Sequence, residues 1–158
     1  MNPSVNEDED TRPCFDDMAN ISKKVFIETG VLYAFINRAD PKHPQSAAYF
    51  RYFSQENYQV FTSYPVVDEV YEKIYEKISP SLAKDFIRGM SLSSINILYP
   101  TESDLKASLK TLINFQNTDL TLRDSQSAVL ANRNSIGQIC TFEYLHPLFG
   151  LNTFNLPI

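Results

Sequence analysis

The sequence lacks the features that mark several classes of protein. It has two cysteines, Cys14 and Cys140, and their separation does not match the spacing of metal ligands. Cys14 also lies in a polar N-terminal stretch, so a structural disulfide is not expected. No apolar run approaches the length of a membrane span, and the N-terminus does not resemble a signal peptide. These absences predict a protein of the reducing cytoplasm without a membrane segment.

An excess of basic charge is also missing. The net charge is -5, and the first 17 residues account for it with six acids and one base. The remaining residues carry 13 acids and 13 bases and are neutral overall. A neutral domain does not attract nucleic acid through its total charge. Contact with phosphate would have to come from local basic patches or from a bound metal ion.

Length and composition favour a single folded domain. With 158 residues, of which 43% are hydrophobic, the chain can bury one core. Residues 1–22 are polar and acidic and show no hydrophobic periodicity, so we expect a disordered acidic leader. We expect residues 23–158 to form the folded domain.

Short apolar segments alternate with helical segments along this domain. Strands are predicted at 25–27, 59–62, 95–99 and 138–142. Helices are predicted at 31–36, 43–54, 65–78, 81–90, 101–115 and 124–134. This alternation predicts an α/β fold, a three-layer α/β/α sandwich with a central parallel sheet of four to five strands. Ligands of such folds bind beyond the carboxyl ends of the strands, and Glu28 and Glu143 fall just past two predicted strands.

Five segments carry acidic and small polar residues in a particular order. They are 25–32 (VFIETGVL), 40–43 (DPKH), 61–70 (FTSYPVVDEV), 119–128 (DLTLRDSQSA) and 141–143 (TFE), followed by LP at 156–157. Together they resemble the motifs of the PIN-domain family, and the chain length resembles that of its compact VapC-type toxin ribonucleases. The resemblance spans residues 24 to 157, which is nearly the whole predicted domain.

Matched position by position, the resemblance implies a set of acids that bind Mg²⁺ or Mn²⁺ and catalyse hydrolysis of RNA phosphodiester bonds. The acids are Glu28, Glu69, Asp124 and Glu143, with Thr29, Asp119 and Thr141 in supporting roles. Hard divalent cations prefer carboxylate oxygens, and a cation offsets the repulsion between crowded carboxylates. The resemblance also implies an RNA substrate, a homodimer and a toxin that a small antitoxin protein holds inactive.

Two of the four acids differ from the family. Glu28 and Glu143 stand where the family usually has aspartate, and the extra methylene moves each carboxylate by about 1.5 Å. A displacement of that size can cost about 100-fold in rate. Two hypotheses therefore stay open: an active metal-dependent endoribonuclease, or a weakened or inactive PIN-like module that binds RNA or a protein partner. A phosphotransferase is disfavoured, because it would need a nucleophilic aspartate near the first strand.

Some of these acids also have ordinary structural explanations. Thr121 and Asp124 form a T-x-x-D capping-box pattern. The same pattern recurs at Thr101 and Asp104, where we expect only a helix start. Glu69 lies on a helix with many other charges, which is typical of a solvated face.

Basic residues close to the motifs are candidates for phosphate contact. They are Lys42, Arg123 and Arg133. Each is equally compatible with a solvated surface charge. Two roles also stay open for Thr29, which can bond to the backbone at its helix start or help to orient Glu28.

Overall fold

The computed structural model describes residues 23–116, 119–143 and 150–157, and the predicted leader at 1–22 lies outside them. The strands are β1 (Lys24–Ile27), β2 (Gln59–Ser63), β3 (Asn96–Leu98), β4 (Gln138–Cys140) and β5 (Asn152–Thr153). The helices are α1 (Thr29–Ile36), α2 (His43–Gln55), α3 (Tyr64–Lys77), α4 (Pro80–Leu92), α5 (Glu102–Asn114) and α6 (Leu122–Arg133). Each predicted strand and helix has a counterpart, and β5 is an additional strand.

The five strands form one parallel sheet in the order β3-β2-β1-β4-β5. β1 is its central strand, with Val25 opposite Val60 of β2 on one side and Gln138 of β4 on the other. The six helices flank this sheet. The predicted α/β fold with a parallel sheet of four to five strands is therefore confirmed.

The central strand explains where the core lies. Val25, Phe26 and Ile27 are fully buried, as expected for a parallel strand with both faces covered, which reads in sequence as a continuous apolar run. On α3, Val66, Val70 and Ile74 recur at helical spacing and are fully buried as well. These two elements are fixed in the core, so the residues at their ends and on their outer faces are held in defined positions.

The order of the strands reverses between β1 and β4. The chain moves from β1 outward to β2 and β3, and then returns to place β4 on the other side of β1. In open parallel sheets, such a switch point leaves a crevice at the carboxyl ends of the strands. The Glu28 N–H donates to the Cys140 carbonyl at 3.0 Å and holds the two strand ends together there.

β4 is shorter than the predicted strand at 138–142. It ends at Cys140, and Glu143 therefore lies three residues past the strand instead of directly after it. The Thr141 hydroxyl oxygen accepts the Glu143 N–H at 3.1 Å. A local side-chain bond of this kind competes with strand pairing, which explains the early end.

No membrane segment was predicted from the sequence. No helix in the described part of the chain is both long enough and apolar enough to cross a bilayer.

Candidate functional site

A cleft of about 660 Å³ opens at the carboxyl ends of β1 and β4. All four acids that the sequence analysis predicted as catalytic line it. They come from four separate elements: the end of β1, helix α3, the first turn of α6 and the segment after β4. The acidic side chains that line the cleft are Glu28, Asp40, Glu69, Asp124 and Glu143.

Glu28 is the most buried of these acids. The apolar run of β1 continues directly into it, so its backbone is held in the interior and only 7% of the residue is exposed. It occupies the N-cap position of α1, but its side chain makes no capping hydrogen bond. Its Oε1 is buried and has no hydrogen-bond partner among the described residues. A buried carboxylate oxygen without a partner is costly when charged, which favours either a nearby cation or a protonated carboxyl.

Burial raises the pKa of Glu28 to about 7. The Asp124 carboxylate adds to this rise. The Ser127 side chain, the Arg123 guanidinium and the Thr29 backbone N–H each lower the pKa, but together they offset only part of the effect of burial. The Glu28 carboxyl therefore changes charge near neutral pH in the metal-free protein.

Glu69 lies beside the buried stripe of α3 and turns its half-exposed carboxylate into the cleft. It forms an ion pair with Arg123 and a second one with Lys73, at 3.8 Å. Its Oε2 also accepts the Thr29 hydroxyl at 3.2 Å. Thr29 therefore directs its hydroxyl to the second acid, a role that neither sequence interpretation of Thr29 included. Glu69 is thus not simply part of a solvated helix face.

Asp124 forms the capping box that its sequence pattern predicted, and it also lies in the cleft. Its Oδ2 accepts the Thr121 N–H at 3.0 Å, and the Thr121 hydroxyl oxygen accepts the Asp124 N–H at 3.1 Å, which completes a capping box. The same carboxylate lines the cleft and raises the pKa of Glu28. The helix start therefore positions the acid.

Of the remaining predicted residues, two lie at the cleft and two do not. Glu143 is exposed at the rim, and Thr141 lines the cleft beside it. Asp119 is exposed and is not among the residues that line the cleft. Arg133 lies at the other end of α6 and forms an ion pair with Asp104 at 2.9 Å, so it does not belong to this site.

Two predicted cations and two unpredicted ones line the cleft. Lys42 places its ammonium 4.7 Å from the centre of the Phe142 ring, and Arg123 projects from the first turn of α6. Sequence analysis missed Lys73 and Lys77 because they sit in a highly charged helix. Lys73 follows Glu69 by four residues and Lys77 follows Lys73 by four, which places all three on one helix face, and this signal could have identified them.

Arg123 stands among the carboxylates. Besides its ion pair with Glu69, its charge interacts favourably with Glu28, Asp68 and Asp124. Its Nε and Nη1 atoms are shielded from water, and burial lowers the pKa of Arg123 while these acids raise it. A guanidinium in a protein stays protonated, so the cleft contains a fixed positive charge.

The cleft offers the donors that Mg²⁺ and Mn²⁺ prefer, because its acids provide hard carboxylate oxygens. The unpartnered Oε1 of Glu28 also fits a site for a cation. Among the residues described, however, no three acids, histidines or cysteines are grouped closely enough to hold an ion as they stand. The donor atoms of the cleft therefore fit Mg²⁺ or Mn²⁺. One of the acids, Glu69, is paired with Arg123 and Lys73.

Comparison with known proteins gives a match in structure alone. No family model and no curated protein matches the sequence. The fold matches the crystal structure of Mycobacterium tuberculosis VapC20, described as a sarcin-ricin loop cleaving toxin, with a TM-score of 0.66 and 16% identity. The match covers 75% of this chain and 89% of that one. This likeness shows that the chain has a PIN-like fold.

Proposed function

We propose that this protein is a metal-dependent endoribonuclease that hydrolyses RNA phosphodiester bonds in the acidic cleft. The observation that carries the proposal is that Glu28, Glu69, Asp124 and Glu143, from four separate elements, line one cleft at the switch point of the sheet. The shared fold with a toxin that cleaves the sarcin-ricin loop supports it. The buried, unpartnered oxygen of Glu28 supports a cation in the site.

Glu28, Asp124 and Glu143 would hold the cation, which would be Mg²⁺ or Mn²⁺, with Glu69 joining them when it leaves Arg123. A divalent ion in this position lowers the pKa of bound water and offsets charge on the phosphate. The protein would bind the RNA backbone through the lysines of the cleft, Lys42, Lys73 and Lys77. The Phe142 ring holds the Lys42 ammonium, so that its charge is positioned before the substrate arrives.

The same likeness supports proposals about partners and location. We propose that the protein acts in the cytoplasm as the toxin of a toxin–antitoxin pair and forms a homodimer. In that case a small antitoxin protein would restrain it. Measurement of the molar mass in solution by light scattering would test the dimer, because a monomer would contradict this part of the proposal.

The direct test is cleavage of single-stranded RNA by the full chain in the presence of Mn²⁺. We expect cleavage that EDTA stops and that Asp124→Asn reduces by more than about 100-fold, because the variant keeps its shape but loses a charged donor. The matched control is Asp104→Asn, which changes the corresponding aspartate of the other capping box and should leave cleavage by the folded protein intact. Cleavage that persists in Asp124→Asn, or that EDTA does not affect, would contradict the proposal.

A second candidate function is a PIN-like module that binds RNA or a protein partner without turnover. Two observations favour it: glutamate occupies two positions where the related family has aspartate, and Glu69 is engaged by Arg123. It predicts RNA binding without cleavage at any Mn²⁺ concentration. Calorimetry should then show that the double variant Glu28→Asp, Glu143→Asp binds Mn²⁺ more tightly than the wild-type protein.

A further inference from the structure

The acidic charge of the cleft is offset in part by side chains of the protein itself. Arg123 forms an ion pair with Glu69, and its charge also acts on Glu28 and Asp124. These are three of the four acids proposed to hold a divalent ion. The guanidinium is half-buried, and its Nε and Nη1 atoms are shielded from solvent, so water does not screen these interactions fully.

A second arginine of the same helix provides the contrast. Arg133, in the last turn of α6, forms an ion pair with Asp104, and 45% of its side chain is exposed. Asp104 is held by a single arginine and by its own capping box, and it is not among the residues lining the cleft. Arg123 faces several acids at once, an arrangement that an ordinary ion pair does not require.

A divalent ion and a guanidinium that share a carboxylate compete for its oxygens. Each neutralises the acids, and two cations at short range repel each other by Coulomb's law in a partly buried site. The absence of a ready group of three acids in the described residues is consistent with this competition, because Glu69 is turned to Arg123. Recruiting Glu69 to a metal would therefore weaken or displace its contact with the guanidinium.

We propose that Arg123 is the resident counter-cation of the acidic cleft and that it competes with the divalent ion for Glu69. This inference rests on the proposed function in that it assigns the cleft to a divalent cation. Arg123 acts on the metal through the acids and is a positioning residue. Its charge offsets acids of the metal-free cleft, and the strength of its contact with Glu69 sets the concentration of metal at which that acid is released.

The first test measures Mn²⁺ binding by calorimetry to the full chain. We expect Arg123→Gln to bind Mn²⁺ at least about tenfold more tightly than the wild-type protein, since coupling between two sites commonly amounts to 5–150-fold. A residue with a merely structural role would not do this, because its loss weakens a site. Arg133→Gln is the matched control and should leave the affinity unchanged within about twofold. Unchanged or weaker binding by Arg123→Gln would overturn the inference.

The second test uses the wild-type protein and so does not depend on the folding of a variant. Arginine side chains are modified with a dicarbonyl reagent, and the modified peptides are quantified by mass spectrometry. We expect Mn²⁺ to increase the modification rate of Arg123 severalfold relative to EDTA, because the ion releases the guanidinium from Glu69. Arg133 should react at the same rate in both conditions. Protection of Arg123 by Mn²⁺, or no change, would contradict the competition.

Failure of the inference and failure of the proposed function give different results. If Arg123→Gln binds Mn²⁺ more tightly but no variant cleaves RNA, the competition is supported and the nuclease proposal is wrong. If RNA is cleaved in an EDTA-sensitive manner while Arg123→Gln binds Mn²⁺ no more tightly than the wild-type protein, the nuclease proposal stands and the role assigned to Arg123 is wrong. If Mn²⁺ binds to none of these proteins, both are wrong.

Discussion

Helices α5 and α6 begin with the same T-x-x-D pattern, and the local bonds are nearly the same in both. In each, the threonine hydroxyl oxygen accepts the N–H of the aspartate, and the aspartate carboxylate accepts the N–H of the threonine. The second bond measures 2.8 Å at Asp104 and 3.0 Å at Asp124. The first box has one further local bond, because the Thr101 hydroxyl also donates to Asp104 Oδ2 at 2.9 Å. Both nevertheless form the same reciprocal pair of capping bonds.

The surroundings of the two aspartates differ. Asp104 is buried, pairs with Arg133 from α6, and its backbone carbonyl accepts the Ser108 hydroxyl at 2.7 Å. Ser125 of α6 donates in turn to the Ser108 carbonyl at 2.6 Å. The first capping box thus belongs to the junction between two helices, whereas Asp124 faces the cleft and the buried carboxylate of Glu28. One motif contributes stability and the other is a candidate for chemistry.

The largest difference between the two aspartates is expected when each carboxylate is deleted in turn. We expect Asp104→Ala to lower the free energy of unfolding by about 2 to 3 kcal/mol, because it removes a cap and an ion pair whose aspartate is buried and whose arginine is half-exposed. Asp124→Ala should cost about 1 kcal/mol or less, because losing the cap is partly offset by relief of repulsion with Glu28. Urea unfolding at pH 7 in EDTA measures both. Equal costs would show that the tertiary contacts of Asp104 add little.

The second prediction concerns pH. The folded-state pKa of Glu28 is about 7, above its ordinary value of 4.5, so the native protein binds more protons than the unfolded chain between these values. Stability of the metal-free protein should therefore fall as pH rises from 4.5 through 7. The loss approaches about 3 kcal/mol, at about 1.4 kcal/mol per pKa unit.

Glu28→Gln isolates this effect because it removes the charge and nearly keeps the shape. In EDTA at pH 8 the variant should be more stable than the wild-type protein by up to about 3 kcal/mol, and its stability should change less between pH 4.5 and 7. Urea unfolding across this pH range makes the comparison. Asp104→Asn is the control, and it should leave the wild-type fall in this range in place. A wild-type protein whose stability does not fall would contradict the raised pKa of the buried Glu28.

The smallest expected effect concerns the threonines of the two capping boxes, where the two helix starts should behave alike. Thr101→Ala and Thr121→Ala each remove the hydroxyl that accepts the N–H of the capping-box aspartate, at 3.2 Å and 3.1 Å. Thr101→Ala also removes the bond from its hydroxyl to Asp104 Oδ2. We expect each to lower the free energy of unfolding by about 1 kcal/mol. Urea unfolding of the two variants beside the wild-type protein measures the change in the free energy of unfolding for each. A gap much larger than 1 kcal/mol would mean that even the local bonds depend on the tertiary environment.

Much of the fold could be predicted because its signals are local. The buried run of β1, the apolar stripe of α3 and both capping boxes depend on residues within a few positions of each other, and the structure has all of them. The end of β4 was predicted wrongly, since apolar character continues to Phe142 while the Thr141 bond ends the strand. The expectation that Asp104 would only start a helix was incomplete, because its partner Arg133 lies on another helix.

Part of the candidate site could likewise be predicted from the sequence, and part could not. The placement of Glu28, Asp124 and Glu143 near the carboxyl ends of the strands followed from parallel strands and from the family resemblance. The two lysines of α3, the bond from Thr29 to Glu69 and the position of Arg123 among the acids did not follow. Each depends on how α3 and α6 lie beside the sheet, and helix periodicity alone does not fix that geometry.

By itself, the sequence determined the six helices, four of the five strands and the capped starts of α5 and α6. The physical reason is that burial patterns and capping bonds act over a few residues. Tertiary structure alone decided which of the two T-x-x-D helix starts faces the cleft and which acid meets Arg123. Those outcomes depend on electrostatic interactions and burial between residues far apart in the chain, and they exist only after the helices have packed on the sheet.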